Sequence, residues 1–234
     1  MPDKVVGVIG GMGPEATVDL MMRVNRATPA EDDIDHIRMV VDNNPKVPSR
    51  IKAIIEGTGE SPAPCMAEMA RKLADSGADF LVIPCNTAHY YYDEVRRAVD
   101  IPVMNMIDVT IETVLNENAS IRTVGLLASK AVLMTGLYTK PFKGKGIDVI
   151  YPSPELQDLL MASVRKIKTG KYDIGDREVL QSAAEELVRK RSEALIVGCT
   201  ELSIICDGLD AGVKVYDASQ VLAESIVRMA KGRG

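Results

Sequence analysis

The sequence is poor in aromatic residues and in histidine. Its 234 residues include two Phe, seven Tyr, two His and no Trp. Hydrophobic residues make up 46% and charged residues 26%, which is typical of an ordinary globular protein. The core must therefore be built from aliphatic side chains and methionine. With so few histidines and no cysteines at metal-ligand spacing, we expect no metal site.

The chain also lacks an excess of basic charge and any long apolar run. Its net charge is −5, from 28 basic and 33 acidic residues, which argues against a nucleic-acid partner. No run approaches the roughly 20 apolar residues of a membrane span, and no targeting segment is evident, so we expect a cytoplasmic protein without a membrane partner. In a reducing compartment, the four cysteines are not expected to form disulfides.

Short β-branched runs alternate with longer amphipathic segments along the whole chain. This alternation predicts an α/β fold, in which parallel sheets are flanked by helices. The predicted strands are 5–9, 37–41, 80–84, 101–105, 123–128, 147–151, 194–198 and 213–216. The predicted helices are 14–27, 64–76, 93–99, 109–116, 154–168, 177–190 and 218–231.

The predicted strands fall into four corresponding pairs, in the same order, at offsets of 110 to 118 residues. In the third pair, residues 78–85 match residues 192–199, and each segment ends in a cysteine that is followed by a threonine within two residues. Any two buried parallel strands look alike, but a shared cysteine at the strand end is not explained in that way. The pattern therefore predicts two similar domains with a substrate cleft between them.

Cys85 and Cys199 are the candidate catalytic residues. Ligands of open parallel sheets bind outside the carboxyl ends of the strands, which is where both thiols are expected. The start of a helix lowers the pKa of a thiol there. The residues Asn86, Thr87 and Thr200 would offer hydrogen bonds to an anionic ligand such as a carboxylate.

Two thiols on opposite walls of a cleft suit one reaction class. A thiolate on one face removes a proton from carbon and the opposing thiol returns one to the other face, so the configuration inverts without a cofactor. Cys65 and Cys206 lack the strand-end context and are expected to be packing residues.

Three motifs together resemble the aspartate/glutamate racemase family, and within it most nearly the cofactor-independent aspartate racemases. They are Gly10-Gly11-Met12-Gly13-Pro14, Pro84-Cys85-Asn86-Thr87-Ala88-His89 and Gly198-Cys199-Thr200-Glu201. Glutamate racemases typically carry a His two residues after the second cysteine, where this chain has Glu201, and this difference favours the aspartate branch. The spacing of the first motif does not fit a dinucleotide-binding loop, so we expect a tight turn that brings the Met12 main chain near a bound amino acid.

The resemblance implies the remaining features of the site. Arg50 and Lys168 would hold the side-chain carboxylate of aspartate, with Lys166 and Lys171 as rivals for Lys168. Glu201 would orient the substrate ammonium group or raise the basicity of Cys199.

The resemblance also implies the wider organisation of the protein. Residues 1–102 and 212–234 would form a discontinuous N-terminal domain, residues 103–211 a second domain, and the protein a homodimer without a cofactor. Two alternatives stay open: a relative that acts on glutamate, a hydantoin or another small acid, and a non-catalytic amino-acid-binding or thiol redox-sensing protein.

Overall fold

Eight short strands form two four-stranded parallel sheets in the computed structural model, which describes residues 3–232. The strands are β1 (Val6–Gly10), β2 (Met39–Asn43), β3 (Phe80–Val82), β4 (Val103–Met104), β5 (Thr123–Ala128), β6 (Asp148–Ile150), β7 (Ala194–Gly198) and β8 (Lys214–Asp217). The strand order is β2-β1-β3-β4 in the first sheet and β6-β5-β7-β8 in the second, and all neighbours are parallel. The predicted α/β fold is confirmed.

Helices connect the strands of both sheets. They are α1 (Pro14–Ala27), α2 (Ala63–Asp75), α3 (Tyr92–Arg97), α4 (Met106–Glu117), α5 (Lys130–Thr135), α6 (Thr139–Lys143), α7 (Pro154–Ile167), α8 (Ile174–Arg189), α9 (Thr200–Ile205) and α10 (Ala218–Ala230). Local signals set several of the starts. Pro154 occupies the first turn of α7 behind the cap Ser153, and Asp173 and Asp176 form a capping box at α8. Within residues 3–232, no helix has the length and apolar character of a membrane span.

The long helices lie close to their predicted spans, whereas the short elements differ. The sequence does not predict the helices α5 and α6 or the π-helical turn Ile51–Glu56, because a segment of five or six residues shows only a weak helical period. The residues of β2 are half-buried or exposed because the strand lies at the edge of its sheet.

The two sheets repeat each other in detail. Gly7 of β1 and Gly125 of β5 occupy equivalent strands, and each faces a leucine of the neighbouring strand. A Cβ at Gly7 would lie 2.5 Å from Leu81, and one at Gly125 would lie 2.6 Å from Leu195. The same close approach at the same place in both sheets supports the predicted pseudo-repeat.

The chain divides into two compact units. The first runs to Val109 and resumes at Ser219, and the second is Thr110–Ala218. Sequence reasoning places the boundaries at 102 and 212 and assigns the last strand to the first domain. That strand placement is wrong, because β8 pairs with β7 in the second sheet. Of the helices and strands within residues 3–232 that follow β8, α10 is the one that returns to the first unit.

Each unit has an aliphatic core that reaches its cysteine. In the first unit, Met66, Met69 and Leu73 of α2 belong to the same buried cluster as Cys85. In the second unit, the buried cluster that contains Cys199 is formed by leucines, isoleucines, valines and alanines of β5, β7, α7, α8 and α9. Both thiols therefore rest on rigid, well-packed layers.

The turn after β1 requires a glycine at residue 11. Gly11 has φ +87°, and a Cβ there would lie 2.2 Å from the backbone of Asn44. Gly77 has the same φ of +87°, but a Cβ at that position would have no neighbouring atom within 4 Å. Gly77 therefore serves as a matched control for Gly11.

We expect Gly77→Ala to lower the free energy of unfolding by about 1–2 kcal/mol, which is the conformational cost alone. Gly11→Ala should lose roughly 1–3 kcal/mol more, because the backbone of Asn44 must also move. Urea unfolding of both variants measures the difference. Equal losses would contradict the close approach of the β1–α1 turn to Asn44.

Candidate active site

The two candidate thiols occupy equivalent places in the two sheets. Cys199 follows β7 directly, and Cys85 lies three residues after β3. Both β3 and β7 are third in the order of their sheets. The two residues are 6% and 4% exposed, and both thiols are free. Each unit therefore carries one buried thiol at the carboxyl edge of its sheet.

A carboxylate and an ammonium group accompany the thiol of Cys199. The Cys199 Sγ donates a hydrogen bond of 3.2 Å to Oε2 of Glu201, which lies in the first turn of α9. The other carboxylate oxygen of Glu201 lies 2.7 Å from Nζ of Lys168, the residue that caps the end of α7. Three side chains from two helices thus form a continuous thiol–carboxylate–ammonium chain.

The expectation that the start of a helix lowers the pKa of Cys199 is wrong. Burial raises that pKa well above its ordinary value, and the charge and hydrogen bond of the Glu201 carboxylate raise it further. Lys168 and the backbone N–H of Leu202 act in the opposite direction but are weaker. Cys199 is therefore a thiol at neutral pH, which agrees with its role as a hydrogen-bond donor.

The carboxyl group of Glu201 stays ionised although it is buried. Burial alone would raise its pKa, but the charge of Lys168 and hydrogen bonds from Lys168 and Cys199 lower it below the ordinary value. Of the rival lysines, Lys166 pairs instead with Asp176 at 3.1 Å. Lys168 is thus the lysine whose charge acts on Cys199.

Thr200 also contributes a buried polar group beside Cys199. Its side chain is 2% exposed, and its Oγ1 has no hydrogen-bond partner within residues 3–232. A buried hydroxyl without a partner costs free energy, so one that persists at a strand end is suited to receive a ligand.

The segment after Cys85 is a short 3-10 turn, Thr87–Tyr91, rather than the start of a regular helix. Asn86 is buried beside the thiol, and Thr87 begins the turn. The carbonyl of Cys85 accepts a hydrogen bond of 2.9 Å from Nδ1 of His89, a residue to which sequence reasoning assigns no catalytic task. The signal that could have found it is its place in the motif, four residues after the cysteine.

Arg50 lies at the end of the loop after β2, where its guanidinium is held in one orientation. Its Nη1 donates to the carbonyls of Val47 and Pro48 at 3.2 and 2.8 Å. Its charge also acts on Tyr91, although burial is the main cause of the raised pKa of that phenol. Arg50 therefore lies near the turn that follows Cys85, in the same unit.

Met12 belongs to the core, since its side chain is 1% exposed in the same cluster as Cys85. The predicted contact from its main chain stays a prediction. No group of three His, Cys, Asp or Glu side chains between residues 3 and 232 is arranged to hold a metal ion.

The thiol–carboxylate–ammonium chain predicts how the pKa of Cys199 responds to substitution. In Glu201→Gln, loss of the negative charge beside the sulfur should lower the pKa of Cys199. In Lys168→Met, loss of the positive charge should raise it. The ultraviolet absorbance of the thiolate, followed against pH in a background with the other three cysteines replaced by serine, measures both shifts. Shifts of the same sign, or none in Glu201→Gln, would contradict this arrangement.

Comparison with known proteins agrees with this architecture. The family profile described as Asp/Glu/Hydantoin racemase matches residues 9–226. The structure of an aspartate racemase from Picrophilus torridus superposes with a TM-score of 0.86 at 31% identity, covering 97% of this chain and 94% of that one.

Two further relatives are named for broader or different activities. The broad specificity amino-acid racemase RacX of Bacillus subtilis is 26% identical over 236 residues, which is 95% of this chain and 96% of the relative. A glutamate racemase from Francisella tularensis in complex with D-glutamate has a TM-score of 0.68 at 23% identity and shows the same fold, covering 100% of this chain and 83% of that one. With a profile match over nearly its whole length, this chain belongs to the Asp/Glu/hydantoin racemase family and is an amino-acid racemase.

Proposed function

We propose that this protein racemises aspartate without a cofactor, with Cys85 and Cys199 as the two acid–base groups on opposite faces of the α-carbon. The observation that carries the proposal is the hydrogen bond from the Cys199 thiol to the Glu201 carboxylate. A buried thiol that is held protonated beside a carboxylate is equipped to give a proton to carbon and to take one back.

The protons balance in each direction. In one direction, the Cys85 thiolate removes the α-proton and the electron pair of the C–H bond stays on the α-carbon. The Cys199 thiol then delivers its proton to the opposite face, so that Cys199 becomes the thiolate and Cys85 the thiol. The reverse direction exchanges the two roles, and no proton is gained or lost overall.

Glu201 favours the role of Cys199 as the base that removes the α-proton in the reverse direction. A carboxylate 3.2 Å from the sulfur destabilises the thiolate, so the thiolate is a stronger base toward the weakly acidic α-proton. Lys168 keeps Glu201 ionised and so maintains this effect. Of the two roles that the sequence leaves open for Glu201, the geometry supports the one that acts on Cys199.

Cations and donors for the substrate lie in both units. We propose that Arg50 binds the side-chain carboxylate, because the carbonyls of Val47 and Pro48 fix its planar guanidinium through a single nitrogen. Lys168, with a side chain that is 31% exposed, would be the second contact for that carboxylate. The α-carboxylate and ammonium groups would meet the Met12 main chain, Asn86, Thr87 and Thr200, of which Thr200 has the buried hydroxyl described above.

A wider substrate range is the second candidate. It is favoured by the relative from Bacillus subtilis, which matches almost the whole chain and has broad specificity. An enzyme of that kind would use the same two thiols but would depend less on a cation for the side chain. The effect of replacing Arg50 on aspartate turnover therefore distinguishes the two candidate functions.

We expect the wild-type enzyme to racemise L-aspartate, and Arg50→Ala to lower kcat/KM for aspartate roughly 10- to 100-fold by removing a charged hydrogen-bonded contact. Chiral chromatography of L-aspartate, L-glutamate and L-alanine reactions, with reductant and no added cofactor, measures each rate. Turnover of alanine, if present, should be unaffected by the substitution. Arg97→Ala, at an exposed arginine of α3, is the matched control.

Efficient racemisation of all three amino acids, with no selective loss of aspartate turnover in Arg50→Ala, would establish the broad-specificity candidate. Absence of turnover of every amino acid by folded protein with free thiols would contradict the proposed function itself.

A further inference from the structure

We infer that His89 is a positioning residue that holds the Cys85 thiol in place by joining its loop to the first residue of α4. This inference rests on the proposed two-thiol racemisation. It assigns a task to a histidine that lies in the cysteine motif and has no contact with substrate in that proposal.

Two hydrogen bonds fix both the position and the tautomer of the imidazole. The backbone N–H of Met106 donates to Nε2 of His89 at 3.0 Å, so Nε2 carries no proton. The proton must then be on Nδ1, which donates to the carbonyl of Cys85 at 2.9 Å. The neutral ring thus connects the loop that contains Cys85 to the start of α4, and its two hydrogen bonds allow only one ring orientation and one tautomer.

The environment of the ring keeps this bridge intact. His89 is 5% exposed, and its ring stacks on Tyr92 with 6.1 Å between the centroids. Burial lowers the pKa of His89 to about 4, so the ring stays neutral at physiological pH. A protonated ring could not accept the hydrogen bond from Met106.

The second unit has a different polar side chain at the equivalent position. Ser203 lies four residues after Cys199, just as His89 lies four residues after Cys85. Its hydroxyl lies 3.4 Å from the carbonyl of Cys199 and 2.5 Å from the carboxylate of Asp217, immediately before α10. The single hydroxyl proton of Ser203 is directed to Asp217, the closer acceptor, so only His89 hydrogen-bonds on both sides. In both units, nevertheless, the side chain at this position lies between the carbonyl of the cysteine and the start of the helix after the fourth strand.

This recurrence argues for a positioning task rather than for packing alone. A polar side chain often approaches the carbonyl four residues earlier in a helical turn, but packing does not require that a histidine and a serine at equivalent positions both hydrogen-bond to the start of the next helix. Proton transfer to and from carbon requires that the sulfur be aligned with the α-carbon, and misplacement by about 1 Å can cost roughly 100-fold in rate.

Exchange experiments in D2O measure the alignment of Cys85 directly. Two quantities are compared: the deuterium incorporated into the remaining starting enantiomer, and the amount of the opposite enantiomer formed. Their ratio shows how often the carbanion is protonated on its original face by one thiol and how often on the opposite face by the other. A displaced Cys85 slows protonation on its own face. The ratio should then rise for the enantiomer whose proton Cys199 removes, and not for the other.

We expect His89→Gln to raise this ratio roughly 10-fold for one enantiomer of aspartate and to lower kcat with little change in KM. Cys85→Ser identifies the enantiomer concerned, because it blocks protonation on the same face. His89→Asn keeps a donor for the Cys85 carbonyl and should show the same asymmetry to a smaller degree. His36→Gln, at the exposed second histidine, is the control and should resemble the wild type.

Thermal unfolding of each variant establishes that it is folded. If His89→Gln does not fold, the test is made with His89→Asn. Wild-type ratios in a folded His89 variant, or an equal rise for both enantiomers, would overturn the task of His89 alone. Wild-type protein without exchange on any amino acid would instead overturn the proposed function, and the inference with it.

Discussion

The hydrogen bond between the Cys199 thiol and the Glu201 carboxylate is the interaction on which the proposed chemistry of the site depends. Both groups are buried, so neither is stabilised by water, and the carboxylate is balanced by Lys168. The bond defines the protonation state of the thiol and the basicity of the thiolate that replaces it. In the proposed mechanism, a neutral Glu201 would leave Cys199 a weaker base toward carbon and would slow the direction in which Cys199 removes the α-proton.

The two units repeat a scaffold but not a site. Strand order and the close-approach glycines are shared, and in each unit a polar side chain four residues after the cysteine lies near the cysteine carbonyl. The carboxylate and lysine are found around Cys199, whereas Cys85 is followed by an asparagine and a threonine. A duplicated fold thus supplies two thiols in different electrostatic surroundings, which suits a reaction in which one thiol must hold a proton while the other accepts one.

Much of the fold and part of the site could be predicted from the sequence. The strands and long helices follow from periodicity, and both cysteines stand out because a repeated strand ends in each of them. The Glu201–Lys168 pair could not be predicted, because it joins the ends of two helices that are more than 30 residues apart in the chain. The sign of the pKa shift at Cys199 escapes prediction for a related reason: a helix start is visible in a sequence, whereas burial and a neighbouring carboxylate depend on the folded structure. The last strand is misplaced by sequence reasoning because partners in a parallel sheet are not set by local pattern.

The most direct test of the two-thiol mechanism is the rate of α-carbon inversion of aspartate in variants that replace one cysteine at a time. We expect Cys85→Ser and Cys199→Ser each to lose roughly 10²- to 10⁴-fold in kcat, because each removes one of the two proposed acid–base groups. Cys65→Ser, at a half-buried cysteine outside the proposed chemistry, should keep the wild-type rate. Wild-type inversion by folded Cys85→Ser or Cys199→Ser would contradict the two-thiol mechanism.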